Sequence, residues 1–144
     1  MRPIVLAVRQ LRDHAVAVCR VVLVEYRFRR YSIDVAAADL GAPLRLDRTQ
    51  SVPPNETTGA DLTRSQRSRT AAIHRVLRIW PFEDTCLRRS LACGHALRSL
   101  KPALRIGVAL DEGGEVLAHS WLEFDGFSLG LNDEVQYRAL RSSR

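Results

Sequence analysis

A chain of 144 residues, 46% apolar and 26% charged, is one globular domain with a core of its own, which excludes disorder of the whole. Its formal charge of +6 is carried by arginine, Lys101 being the only lysine, and that charge keeps an acidic peptide or a nucleic acid in view as a partner. The apolar run at the N-terminus stops at Arg9, too short for a signal sequence, and Arg12, Asp13, Arg20 and Glu25 interrupt any membrane span, so a cytoplasmic protein is expected.

In chain order, Pro3 to about Arg30 reads as a long helix, with Ile4, Leu11, Ala15, Val18, Val22 and Tyr26 forming a stripe expected to face a core. A short helix follows, with Ser32 as N-cap, Asp34 in its first turn and Gly41 as its stop. Residues 42–60 carry Pro43, Pro53, Pro54 and Gly59 among polar neighbours and read as a mobile loop. A third helix begins at Asp61 or Thr63 and runs to about Trp80. It buries Ile73, Val76, Leu77 and Trp80 and turns Arg64, Arg67, Arg69, Arg75 and Arg78 to solvent, so a nucleic-acid surface is not expected there.

Pro81 breaks that helix, and Asp84 or Thr85 caps a central one that starts at Cys86 and ends before Pro102. The period then changes from helical to alternating. Leu104 to Leu110 is a strand, Asp111-Glu112-Gly113-Gly114 a turn, and Glu115 to Phe124 a second strand. Asp125-Gly126 is a two-residue hairpin signal, Phe127 to Leu131 a third strand, and Val135 to Leu140 a closing helical turn. The fold class is therefore α+β, a helical half at 1–80 and a core at 81–140, within a single domain over 1–144.

Three cysteines are an odd count and give no disulfide framework. Cys86 and Cys93, seven residues apart on one helix, sit about 10 Å apart along its axis, too far to bridge. Cys19 and Cys93 read as packing, and Cys86 as the reactive candidate because it opens a helix. Amides of a first turn lower a thiol pKa and can hold an oxyanion. Glu83 and Asp84 oppose the thiolate unless one is occupied elsewhere.

Of four histidines, His95 is nine residues beyond Cys86 and points from the opposite helix face, while His14 and His74 show no tie to Cys86. His119, on the second strand, is the base that remains. A third group should orient its ring. Strict counting from the hairpin pairs His119 with Asn132, and a bulge at Gly130 brings Asp133 there instead. Cys86, Cys93, His95 and His119 lack zinc-ligand spacing, and no metal or other cofactor is expected.

The blocks Cys86-Leu87-x-Arg89-Ser90-Leu91-Ala92, Arg105-Ile106-Gly107-Val108 and Ala118-His119-Ser120-Trp121-Leu122-Glu123-Phe124-Asp125-Gly126 resemble the lasso-peptide leader peptidases. These are stand-alone counterparts of the C-terminal domain of the microcin-maturation B protein, within the transglutaminase-like (papain-like) cysteine-protease superfamily. The resemblance is close over about 80–140, and Asp39 to Leu44 fits the family's N-terminal part more loosely.

It implies a bacterial enzyme that cuts the leader from a ribosomally made precursor, with Cys86 as nucleophile, His119 as base and Asp133 as the third member. Ser120 stands where the family has alanine. The implied partners are the precursor peptide, a separate leader-recognition protein, since the first eighty residues show no winged-helix domain, and the lasso cyclase as a further candidate. Two rival readings stand beside it. One is an acyltransferase of the same superfamily; the other is a basic, non-catalytic module that binds peptide or nucleic acid.

Overall fold

The computed structural model describes residues 2–46, 62–110, 112–124, 127–129 and 138–139. Among the described residues four α-helices accompany an antiparallel sheet, with α4 packed on β1 and β2: α1 (Arg2–Arg30), α2 (Ile33–Asp39), α3 (Arg64–Leu77) and α4 (Cys86–Ala96). The strands are β1 (Ala103–Leu110), β2 (Val116–Phe124), β3 (Phe127–Leu129) and β4 (Arg138–Ala139), in the order β3-β2-β1-β4. The fold is α+β, as the sequence predicts.

Local chemistry sets the helix starts. Thr63 caps α3 through a capping box: its hydroxyl accepts from the Gln66 amide at 3.3 Å, while the Gln66 side chain accepts from the Thr63 amide at 2.8 Å. Thr85 caps α4 in the simpler way, its hydroxyl accepting from the Arg88 amide at 3.3 Å. Ser32 occupies the N-cap of α2 with no side-chain bond to the helix amides, and Gly41 takes the left-handed conformation (φ 82°) that ends it.

The core lies where α3 and α4 meet α1 and β2: Ala17, Val21 and Val24 from α1, Ile73, Val76 and Leu77 from α3, Leu91 and Ala92 from α4, and Leu104 and Leu122 from the sheet. Gly94 permits the closest approach. A Cβ there would stand 2.7 Å from the Ala42 Cβ and 3.3 Å from Leu122 Cδ2. Neither Ala42 nor the helix backbone has a flexible end to move, so Gly94→Ala should cost about 1–3 kcal/mol in overpacking. That exceeds the helix-propensity gain of at most about 1 kcal/mol. Urea unfolding should show a lower midpoint; a raised one would mean that α4 and β2 are not in this contact.

The sequence reading misplaces several features. The stripe assigned to the core is the wrong face of α1: Leu11, Val18, Val22 and Tyr26 are exposed, and Ala17, Val21 and Val24 are buried instead. Cys19, read as packing, is exposed as well. The third helix ends at Leu77, short of Trp80. The central helix ends at Ala96, and a 3-10 turn over Arg98–Leu100 and a left-handed Lys101 (φ 52°) carry the chain to Pro102.

The loop assigned to 42–60 begins as ordered backbone. Leu44 bridges Leu104, and Arg45 O accepts from the buried Arg105 guanidinium at 3.0 Å; its remainder, 47–60, lies outside the described residues. Where a closing helical turn is expected, Arg138–Ala139 pairs with Gly107–Val108 as β4, a non-local contact that no local signal announces. The hairpin register is as counted, Phe124 opposite Phe127 and Leu122 opposite Leu129. The third strand is described to Leu129.

Candidate active site

Cys86 is the first residue of α4, directly after its cap. The amides of Cys86 and Leu87 have no acceptor among the described residues, as expected for a helix start whose cap satisfies only Arg88. Two N–H donors are thus open beside the thiol. Asp84, which would oppose a thiolate, is held by Arg89 at 2.5 Å. Arg88 turns the other way, donating to Glu25 on α1 and to the Glu83 carbonyl at 3.0 Å. The objection is thereby reduced for Asp84, whose carboxylate is paired; the bond to the Glu83 carbonyl leaves that residue's side-chain charge as it was.

One turn on from Cys86, Ser90 faces β2. Its hydroxyl donates to the Ser120 carbonyl at 3.1 Å, and the two serine hydroxyls stand 3.4 Å apart, all of it buried. The bond ties the beginning of α4 to the strand residue that follows His119. His119 itself stacks with Trp121, two residues along, with ring centroids 6.3 Å apart at 17°. The pleat gives these two one face of β2 and gives Ser120 and Leu122 the other.

A cavity of about 110 Å³ gathers these pieces. Cys86, His119, Ser90 and Ser120 line it together with His74, Arg89, Cys93, Leu122 and Leu129. The structure therefore brings Cys86 and His119 to one cavity from separate elements. His95 is turned away, its Nδ1 facing the Leu40 carbonyl at 3.3 Å. Asn132 and Asp133 lie outside the described residues. Among the described residues no group of three or more His, Cys, Asp or Glu side chains could hold a metal ion.

Sequence reasoning misses one pair in this cavity. Cys93 Sγ lies 3.6 Å from His74 Nε2. Burial pushes the Cys93 thiol up to about 12, so at neutral pH it stays a thiol within hydrogen-bond distance of the ring nitrogen. Desolvation, with the Arg89 charge behind it, lowers the pKa of His74 and keeps that ring neutral. Cys93 is thus a packing residue, as expected, but one with a partner. No spacing within either helix announces the pair: His74 and Cys93 are nineteen residues apart and meet because α3 packs on α4.

The pair has a pH consequence. Between about pH 9 and 12 an unfolded chain loses the Cys93 proton while the folded chain keeps it, so stability should fall as pH rises. The slope from this group approaches about 1.4 kcal/mol per pH unit. Urea unfolding of the native chain and of Cys93→Ala at pH 8 and 10.5 checks it. The native chain should lose more, and equal losses would contradict the burial.

The sequence model of the family described as Transglutaminase-like superfamily matches residues 22–142, from the second half of α1 to the end of the sheet. No curated protein matches the chain, and no solved structure does.

Proposed function

The chain belongs to the transglutaminase-like superfamily, and from that premise we propose that it is a cysteine peptidase that removes the leader from a ribosomally made lasso-peptide precursor. The observation that carries the reading is that Cys86, at a helix start, and His119, on the strand beside it, line the same cavity. The substrate comes from the Cys86–Ala92 and Ala118–Gly126 motifs, which resemble those of leader peptidases.

In this reading the Cys86 thiolate attacks the scissile carbonyl carbon, and the carbonyl electron pair moves to oxygen. In this proposal the open amides of Cys86 and Leu87 receive that oxyanion. His119, protonated, gives its proton to the departing amine as the C–N bond breaks, leaving a thioester to Cys86. Water, deprotonated by His119, then releases the leader carboxylate and restores the thiol. Asp133 is the proposed orienting group for the ring. Leader binding falls to a separate recognition protein, and the freed amine passes to a cyclase.

The test is mass spectrometry of precursor peptide incubated with the enzyme and a trial amine. The expected products are a leader with a free carboxylate and an intact core. A leader carrying the amine would move the assignment to acyl transfer within the same superfamily. Adding the recognition protein should raise the cleavage rate; equal rates with and without it would remove that partner from the account.

A further inference from the structure

α3 carries a cationic stripe that begins at the wall of the cavity. At about 100° per residue, Arg64, Arg67, Ala71, His74, Arg75 and Arg78 fall within an arc of about 100°. That arc is centred nearly opposite the buried Ala72, Ile73, Val76 and Leu77, and every residue on it is exposed. His74 stands at one margin and lines the cavity together with Cys86. The stripe therefore leads from the candidate active site out along the surface.

Helix stability does not account for these arginines. α3 contains no acidic residue, and Arg64 and Arg67 lie in its first turn, where a cation opposes the helix dipole. Arg75 and Arg78 suit the dipole at the other end. Arg67 is engaged in part, its Nε donating to the Leu62 carbonyl at 2.8 Å. Among the described residues, Arg64, Arg75 and Arg78 form no ion pair with a carboxylate. Asp84, beyond the end of the helix, is held by Arg89.

Spacing sets the length of a ligand. Arg64 and Arg78 are about 21 Å apart along the axis, the span of about six or seven residues of extended chain. From His74 back to Arg64 is about 15 Å, or roughly four to five such residues. Single-stranded nucleic acid is held by aromatic side chains that stack on bases, and this arc has none of Phe, Tyr or Trp. A lipid surface takes an apolar face, and here only Ala71 is apolar. A polypeptide that reaches the cavity along α3 meets the stripe directly.

We propose that the arginine stripe of α3 binds an acidic segment of the substrate polypeptide, within about five residues of the bond to be cut. The inference takes its occupant from the peptidase reading. Its binding test runs on a chain without the nucleophile, so the two can fail separately.

The experiment uses the full chain carrying Cys86→Ala and a fluorescein-labelled peptide of about seven residues, alternating Glu and Ser. The same peptide with Gln in place of Glu is its control. By fluorescence anisotropy the Glu peptide should bind, less tightly as salt is added, and the Gln peptide should not. Arg64→Gln/Arg75→Gln/Arg78→Gln should weaken binding at least tenfold. Arg9→Gln/Arg12→Gln/Arg30→Gln on α1 removes the same net charge and should weaken it less than threefold. Gln is a good helix former at exposed positions, so melting temperatures should hold; if the α3 variant loosens the fold, Arg64→Gln alone carries the test. With Cys86 intact, the α3 variant should raise KM for the precursor at least fivefold and hold kcat within twofold. Equal binding of the two peptides, equal loss in the two triple variants, or an unchanged KM overturns the proposal. Tighter binding of a short oligothymidylate, lost with the same arginines, would overturn it in favour of a nucleic acid. Stripe-dependent uptake on phosphatidylserine vesicles without peptide binding would overturn it in favour of a membrane.

Discussion

Cys86→Ala should leave the fold standing and reduce precursor cleavage to background, a loss on the order of 10⁴-fold or more, as expected when a nucleophile is deleted. The fold should survive because Cys86 is only partly buried and the cap of α4 is Thr85, which the substitution leaves in place. Alanine is also a good first-turn residue. Cys93→Ala is the informative companion: it removes the other thiol lining the cavity and should keep activity within a few-fold, since that thiol is held protonated by burial. Single-turnover assays of both variants decide between them. Activity lost in Cys93→Ala and kept in Cys86→Ala would transfer the nucleophile's role to the wrong end of the helix and end the proposed mechanism.

The largest expected loss of stability comes from Glu25→Ala. Glu25 is 6% exposed and sits between the Arg88 guanidinium and, at 3.7 Å, that of Arg29. Removing it leaves Arg88, 16% exposed in its side chain, as a nearly buried cation; breaking such a pair from one side costs roughly 3–5 kcal/mol. Against a typical total of about 5–15 kcal/mol, that is a large share. Arg88 keeps the Glu83 carbonyl and the Phe28 ring, 5.4 Å from its carbon, so the lower end of the range is expected. The double variant Glu25→Leu/Arg88→Met should recover most of the loss, because two apolar side chains of similar size desolvate nothing charged. Urea unfolding of the three chains gives the loss and its recovery. A loss under 1 kcal/mol in Glu25→Ala would mean that α1 and α4 are not joined here.

The start of α4 is legible from Pro81 and Thr85 because breaking and capping are local events, decided within four residues. The β2–β3 register is legible for the same reason: Asp125-Gly126 fixes it from a turn. The buried face of α1 is not. That helix carries two apolar stripes, and hydrophobicity cannot say which one the domain uses. Small residues, Ala17 and Val21, pack inside, while Leu11 and Tyr26 stay out. The residues that accompany Cys86 are legible only in part. Ser90 and Ser120, thirty residues apart, and His74 and Cys93, nineteen apart, meet by tertiary packing, which periodicity within one element does not encode. β4 is of the same kind, since its two residues pair with a strand thirty residues earlier.

The central claim is hydrolysis of the precursor through a thioester on Cys86. Its most direct test is intact-protein and tryptic mass spectrometry of enzyme quenched in acid during the first turnover with precursor, in water enriched in ¹⁸O. The account predicts a protein species heavier by the acylated leader, mapped to the peptide containing Cys86, and a released leader with one ¹⁸O in its new carboxylate. Leader released at the same rate by Cys86→Ala, with no adduct on that peptide, would contradict it.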